Sequence, residues 1–196
     1  SPAVRAEDLQ FSERGVELVL RQVIIPLWNA YSFFITYARI YDWEPPKENI
    51  QPKAPIDRWL ISMLHKLIHD VEEGIDQYKL SDAVDPFVGF IDHLTNWYIR
   101  RCRRRFWSDE ATEDRSEAFY TLYIVLRELS KIAAPFIPFV SESIYNNLRN
   151  ENAPKSVHLC DYPVYDKNIR DIPLEKSMSA VQTVVSTGHS LRKEHK

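Results

Sequence analysis

The chain has 196 residues, 44% of them apolar, and is therefore long enough to bury a hydrophobic core as one domain. It carries 25 basic and 28 acidic side chains, a balance that excludes a protein binding polyanions through overall basicity. Its two cysteines, Cys102 and Cys160, form no CxxC pair, which excludes a cysteine-rich zinc module and predicts reduced thiols.

The lengths of the apolar runs and the start of the chain bear on membrane contact and cellular compartment. No apolar run reaches the roughly 20 residues of a membrane span, and no hydrophobic signal core opens the chain. We therefore expect a cytoplasmic protein without membrane contact. The chain begins without a methionine, and we expect it to be part of a larger protein.

Helical periodicity dominates the first third of the chain, where glycines are rare. A long helix is predicted from Ser12, its N-cap, to about Tyr41, with Pro26 kinking or dividing it. The proline-rich stretch 43–55 cannot be helical throughout. A second helix is predicted to begin near Pro55. Its apolar stripe consists of Ile56, Leu60, Met63, Leu67 and Val71.

Three further helices are predicted before residue 150. The third starts between Ser81 and Pro86 and continues past Arg100, with a buried stripe of Phe87, Ile91, Leu94 and Tyr98. The fourth covers about residues 112–133 and presents Phe119, Leu122, Leu126, Leu129 and Ile132 or Ala133. The fifth resumes at Pro138 and holds Phe139, Ile144, Tyr145 and Leu148.

The remainder of the chain is predicted to differ from the bundle. Residues 156–165, SVHLCDYPVY, are typical of a short extended segment, and residues 173–191 of an amphipathic helix detached from the bundle. That helix would carry Met178, Val181, Val185 and Leu191. We therefore predict an all-α fold: an antiparallel bundle of about five helices over residues 1–150, followed over 151–196 by the extended segment and a C-terminal helix.

The stretch NWYIRRCRRRFW, residues 96–107, concentrates positive charge at the end of the third helix. It contains Arg100, Arg101, Arg103, Arg104 and Arg105. Cations near a helix C-terminus are each favoured by about 0.3–1 kcal/mol. The nearby acids Asp109, Glu110, Glu113 and Asp114 could pair with them. These two effects explain one or two of the arginines.

Five arginines indicate a further partner, because like charges at i and i+4 oppose helix formation. Guanidinium groups match phosphate geometry, and aromatic rings stack on bases, so the partner expected is RNA. Trp107 follows the helix end as a candidate stacking platform, whereas Trp97 and Tyr98 fall on or beside the core stripe. Asn96 would read a base edge or cap a neighbouring backbone. The candidate RNA-binding residues are Asn96, Arg100, Arg101, Arg103, Arg104, Arg105 and Trp107.

Other groups of polar residues give weaker evidence for a metal site or a catalytic site. His65 and His69 have the i, i+4 spacing of a metal site, but no third ligand is indicated, so we predict two exposed histidines and no metal. Glu72, Glu73 and Asp76 are typical of a solvated helix face. No glycine-rich phosphate loop, GxSxG motif or supported cysteine–histidine pair occurs, so no catalytic residue is predicted. The alternatives to RNA binding are a helical module docking an acidic partner or other domains of the same chain, and a small metal enzyme built around His65 and His69.

The arginine run does not stand alone. With the preceding PIDRWLISMLHKL and the following APFIPFVSESIY and SVHLCDYP, it resembles the helical tRNA anticodon-binding domain of class I isoleucyl-tRNA synthetases, in their eukaryotic and archaeal form. The resemblance covers nearly the whole chain. The opening AVRAEDLQFSERGV is similar to the segment that leaves the catalytic core of such enzymes.

This resemblance implies a non-catalytic fragment of an isoleucine–tRNA ligase. The bundle would bind the anticodon stem-loop of the isoleucine-accepting tRNA, while the full-length enzyme uses ATP to attach isoleucine. The ATP-binding signatures HIGH and KMSKS match nothing in the chain, so no cofactor is expected in this fragment. The implied partners are tRNA and the catalytic and C-terminal domains of the same polypeptide.

Overall fold

The computed structural model describes residues 13–48, 50–107 and 112–194. Within these ranges the chain forms six helices and no strand. The helices are α1 (Glu13–Ile40), α2 (Pro55–Asp76), α3 (80–106), α4 (Glu113–Ala133), α5 (Pro138–Leu148) and α6 (Ile172–Glu194). The predicted all-α bundle is confirmed.

Helix α1 continues through Pro26 without a break. Pro26 has no N–H to donate, and the preceding turn, Leu20–Ile24, widens into a π-helix in which the Ile25 N–H donates to the Leu20 carbonyl. The proline is thus accommodated by a change of hydrogen-bond pattern. The predicted N-cap, Ser12, lies outside the described residues.

By length and composition α1 could cross a membrane, since its mean hydropathy reaches 1.4 over an 18-residue window. This corrects the expectation that no apolar segment is long enough. The second half of α1 nevertheless lies in the bundle core, where Leu27, Ala30, Tyr31, Phe34 and Ala38 are buried. One face of that half is therefore buried in the bundle.

Helices α2 and α4 form the centre of the bundle. Helix α2 contacts α3, α4 and α6, and α4 also contacts α1, α3 and α5. The α2 stripe is buried at Leu60, Leu67 and Val71, and half-buried at Ile56 and Met63. Helix α3 begins one residue before the predicted window, and its whole predicted stripe is buried. The helical periodicity therefore identified both buried faces.

Aromatic packing joins the proline-rich connection to the core. As predicted, the described residues between α1 and α2 are not helical. Trp43 in this connection stacks on Phe119 of α4 at 5.7 Å, and Phe106 at the end of α3 meets the same ring edge-on at 5.1 Å. Phe119 thereby fixes both the connection and the end of α3.

Helix α5 begins at Pro138, as predicted, but one assignment on it is wrong. Phe139 is 86% exposed, whereas Ile144, Tyr145 and Leu148 are buried. At 100° per residue, Phe139 lies about 140° around the helix from Ile144, off the buried face.

The segment predicted to be extended, residues 156–165, is only partly so: Ser156 and Cys160 have extended backbone dihedral angles. It contains the 3₁₀ turn Val157–Leu159, which is capped because the Ser156 hydroxyl accepts from the His158 N–H. The Val157 N–H donates to the Glu142 carboxylate at 2.8 Å. The backbone donor is satisfied by a side chain of α5, so no strand partner is needed.

Helix α6 packs against the bundle, contrary to the prediction that it is detached. Leu174 and Met178 pack against the core, whereas Val181 and Leu191, predicted on the apolar stripe, remain about half exposed. The Ser62 hydroxyl donates to Glu175, and the Asp171 N–H donates to Ser62 at 2.8 Å. Polar contacts from α2 thus hold the start of α6. The division of the chain near residue 150 stays a prediction.

Candidate nucleic-acid interface

The buried residues of α3 set the direction in which its arginines point. Tyr98, Cys102 and Phe106 are 2% exposed or less and follow the i, i+4, i+8 rhythm of one face. The helix therefore cannot rotate without exposing these core side chains. This orientation leaves four of the five guanidinium groups at the surface. They belong to Arg100, Arg101, Arg103 and Arg104, which we call the arginine face.

The fifth arginine, Arg105, points inward. Its Nη1 and Nη2 atoms each donate to a carboxylate oxygen of Asp57 at 2.8 Å, and its Nε donates to Asp114 at 2.9 Å. The Arg105 side chain is 16% exposed and that of Asp57 is fully buried. Its guanidinium therefore braces α3 against α2 and α4, and an RNA contact of Arg105 stays a prediction.

Asp57 owes its position to the first turn of α2, where a helix N-terminus favours negative charge. The buried Tyr98 hydroxyl also donates to Asp57 at 2.7 Å. Burial raises the pKa of Tyr98 well above its ordinary value, and the nearby Asp57 charge raises it further. Burial alone would lower the pKa of Arg105, but its hydrogen bonds to Asp57 and Asp114 raise it overall. Tyr98 is thus held neutral and Arg105 charged.

The predicted acidic partners of the arginines have different roles. Asp114 pairs with Arg105, as expected, whereas Glu113 pairs with Lys53. Asp109 and Glu110 lie outside the described residues. Among the described residues, no carboxylate forms an ion pair with the arginine face.

Two members of the arginine face lie over indole rings. The Cζ atom of Arg101 is 5.0 Å from the centroid of Trp97, and that of Arg103 is 5.7 Å from Trp107. Cation–π contacts hold a guanidinium by its flat face and leave its N–H edge available. Within the part of the chain described, the side chains of Arg100 and Arg104 are exposed and make no hydrogen bond or ion pair.

Trp107 and Asn96 mark the two ends of the stretch. Trp107 directly follows α3, is 46% exposed, and has its ring centroid 6.1 Å from that of Tyr37. An exposed platform there is what the sequence predicted. The Asn96 side chain is exposed, and its Nδ2 donates to Asp92 at 2.6 Å. Among the described residues it caps no backbone group, and this differs from one of the two predicted roles.

His65 and His69, which have the spacing of a metal site, make packing and hydrogen-bond contacts instead. The His65 Nδ1 accepts from the Asp166 N–H at 3.1 Å, and His69 stacks on Tyr165 at 4.8 Å. Both histidines are partly covered by the segment before α6, which corrects the prediction that they are exposed. Across the described residues, no group of three metal-ligating side chains occurs. Glu72, Glu73 and Asp76 lie on an exposed face, as predicted.

Both cysteines are free thiols, as predicted. Burial raises the pKa of the Cys102 thiol to about 11, so this thiol stays protonated near neutral pH. Cys102 therefore contributes packing to α3.

The sequence of the chain is similar to a known protein family and to known proteins. Residues 57–196 match a family model described as the anticodon-binding domain of tRNA ligase. The chain is 61% identical over 196 residues to an isoleucine–tRNA ligase of Protochlamydia amoebophila, and 53% identical to those of Chlamydia pneumoniae and Chlamydia muridarum. In each case the match covers the whole chain and 19% of the relative's length. The eukaryotic and archaeal form of the resemblance stays a prediction.

Proposed function

Because this chain belongs to the family of anticodon-binding domains of tRNA ligases, we propose that it binds the anticodon stem-loop of a tRNA through the arginine face. The observation that carries the proposal is the contrast within one helix. Arg105 is neutralised by two carboxylates, whereas the other four guanidinium groups have no carboxylate partner among the described residues. A surface built in this way is suited to an external polyanion.

Phosphate is the anion that fits this surface best. Guanidinium groups bind phosphate oxygens through paired N–H donors, and such contacts position an RNA without reading its sequence. Arg100 and Arg104 would contact the RNA backbone directly. Arg101 and Arg103, held flat against Trp97 and Trp107, would offer their edges to phosphates. The buried residues of α3 fix the orientation of the helix that carries the four groups.

Stacking would add contacts to unpaired bases. RNA loops expose unstacked bases, which proteins bind on aromatic rings and guanidinium planes. Trp107, 46% exposed at the end of α3, is placed for such a contact. The shape of a stem-loop and its phosphates would thus be recognised together.

The chain spans about a fifth of the length of the relatives it matches. We infer that it is the tRNA-binding part of a longer isoleucine–tRNA ligase that works in the cytoplasm. The tRNA would be the isoleucine-accepting one. ATP use and isoleucine transfer would belong to the catalytic part of the ligase, with no cofactor held by the residues of this bundle.

The other domains of that ligase would also be partners. Val16, Leu18, Val19 and Leu20 in the first half of α1 are each at least 41% exposed. Exposed apolar residues in such a cluster favour contact with another protein surface. This observation supports docking of α1 on another domain of the same polypeptide. It leaves the arginine face free for RNA.

Titration of fluorescently labelled tRNA at two salt concentrations tests the proposed function. The variant Arg103→Glu/Arg104→Glu should lower the affinity on the order of tenfold or more, because a charge-assisted hydrogen bond contributes about 1.5–3 kcal/mol. The slope of log affinity against log salt should also decrease by about 0.7–0.9 for each phosphate that the variant no longer neutralises. The control is Lys155→Glu/Lys167→Glu, which makes the same charge change at exposed sites outside α3. Equal affinities of the two variants would exclude the arginine face.

A further inference from the structure

An open groove separates the arginine face from α6. It encloses about 940 Å³ and is lined on one side by α3, including Asn96, Trp97, Arg100 and Arg101. The other side is the second half of α6, including Ser186 and Lys193. The sequence predicts no function for α6, yet this helix forms a complete wall beside the candidate interface.

The contacts of α6 explain why the groove exists. The first half of the helix is anchored on α2, where Met178 packs against the core and Glu175 accepts from Ser62. At the near end of the groove, Gln182 Nε2 lies 3.3 Å from Nδ1 of His93 on α3. Beyond Gln182 the described contacts between α6 and α3 end, and polar side chains from both helices face the space. The groove is therefore closed at one end and open toward the arginines.

The charges that line the groove favour an anion. Of the described residues that line it, three are cations, Arg100, Arg101 and Lys193. The one carboxylate among them, Asp92, already accepts a hydrogen bond from Asn96. Four hydroxyl groups of α6 add neutral hydrogen-bonding capacity. They belong to Thr183, Ser186, Thr187 and Ser190. Phosphate oxygens in RNA complexes are typically contacted by arginine, lysine, serine and threonine.

Two further features distinguish an RNA strand from a single small anion. The cations occupy both walls, so several successive phosphates would be needed to contact them all. The Trp97 ring, with Arg101 lying over it at 5.0 Å, adds a flat surface at the groove wall. A stacked guanidinium beside a phosphate site is a combination that suits unpaired nucleotides.

We propose that this groove takes the sugar–phosphate backbone of the bound tRNA, with α6 as the second wall of the binding site. The inference rests on the proposed function and deepens it: α3 supplies guanidinium groups from one side, and Lys193 and the α6 hydroxyls contact the same strand from the other. Lys193 and Ser186 become RNA-contacting residues.

A matched pair of variants on α6 tests the groove. Ser186→Glu/Lys193→Glu places two new negative charges on the groove wall and removes one positive charge. Ser179→Glu/Lys176→Glu makes the same chemical change on the same helix at exposed sites outside the groove. The groove variant should bind labelled tRNA about tenfold more weakly, with a salt slope lower by about 0.7–0.9 because one phosphate is no longer neutralised. The control should keep the affinity of the unmodified chain to within about twofold.

The outcomes separate the groove from the proposed function. If both α6 variants bind like the unmodified chain while Arg103→Glu/Arg104→Glu loses affinity, tRNA binding stands and the groove proposal is overturned. If the unmodified chain shows no salt-dependent tRNA binding, both proposals fall. Circular dichroism and a cooperative urea transition establish that each variant is folded. A photo-crosslinker gives a second readout. Labelled tRNA should be captured from position 186 and not from position 179. Capture from position 179 and not from 186 would also overturn the groove proposal.

Discussion

Asp57 and Arg105, 48 residues apart, form a two-point ion pair at 2.8 Å beneath an otherwise solvent-facing run of arginines. The Asp57 carboxylate is fully buried and also accepts from the Tyr98 hydroxyl. The pair therefore ties the start of α2 to the end of α3. One arginine of the cluster thus fixes the helix that presents the other four.

Removal of either partner should destabilise the fold strongly. In Asp57→Ala or Arg105→Ala the remaining charge is left without its buried partner, which typically costs about 3–5 kcal/mol. Arg104→Ala removes an exposed arginine of the same helix and should change the free energy of unfolding by no more than about 0.5 kcal/mol. Urea denaturation measures all three. Equal midpoints for Arg105→Ala and Arg104→Ala would refute the bracing role.

The close approach of α2 and α3 depends on Gly74. A Cβ atom at Gly74 would lie 2.7 Å from the backbone N and 2.9 Å from the Cα of Ala83, so the helices would have to move apart. Gly74→Ala should therefore destabilise the chain by about 1–3 kcal/mol. Gly89→Ala is the control, because open space surrounds that position on α3. It should stabilise by about 0.5–1 kcal/mol, since alanine favours helix.

Thermal unfolding of the two glycine variants gives opposite shifts under this interpretation. The shift for Gly74→Ala should be downward and that for Gly89→Ala upward. An upward shift for both would mean that α2 and α3 can separate slightly at no cost, and that helix propensity decides the outcome at each site.

The helices could be predicted because their evidence is local. The stripe from Phe87 to Tyr98 on α3 repeats at helical spacing, and every residue in it is buried. The fourth helix is predicted to start at about residue 112, and the Thr112 hydroxyl caps it by accepting from the Arg115 N–H. Both features depend on residues within a few turns of one another. Such patterns are visible in the sequence whatever the tertiary contacts are.

The errors at Arg105 and at α6 have a different cause, which is dependence on distant partners. Nothing near Arg105 in the sequence distinguishes it from Arg104, and only the position of Asp57 on another helix does. The docking of α6 likewise depends on Ser62, more than 100 residues earlier. Polar contacts between distant residues leave no periodic pattern. The groove beside the arginine face was missed for this reason.

Glu175 should control how firmly α6 is held. Its carboxylate accepts from Ser62 and, at 2.8 Å, from two nitrogens of Arg170, and its side chain is 11% exposed. Glu175→Ala leaves Arg170 without its carboxylate partner, at a cost of roughly 1–3 kcal/mol. Hydrogen exchange should accelerate in α6 while α4 stays protected. Lys176→Ala, an exposed neighbour, is the control; faster exchange in both variants would point to helix propensity instead.

The stability of the chain should fall as the pH decreases from 7 to 5, in part through His65. Burial is the main cause that lowers the pKa of His65; the charges of Asp166 and Glu128 oppose it, and that of Arg170 adds to it. The His65 Nδ1 atom accepts from the Asp166 N–H. Protonation of Nδ1 would place its N–H against the Asp166 N–H and break this hydrogen bond. A histidine with a lowered pKa contributes its stability above its unfolded pKa of about 6.5, and this contribution is lost as the pH falls through the folded pKa.

His93 adds to the same dependence. Burial lowers its pKa as well, against the nearby charge of Asp92. Each histidine can contribute a slope of at most about 1.4 kcal/mol per pH unit, since one proton is involved. In His65→Asn/His93→Asn the amide oxygen can replace Nδ1 as acceptor and does not titrate. Urea denaturation at half-unit intervals should show a shallower decline for this variant than for the unmodified chain. Parallel curves would assign the decline to carboxylates, and the two ring nitrogens would then have no part in it.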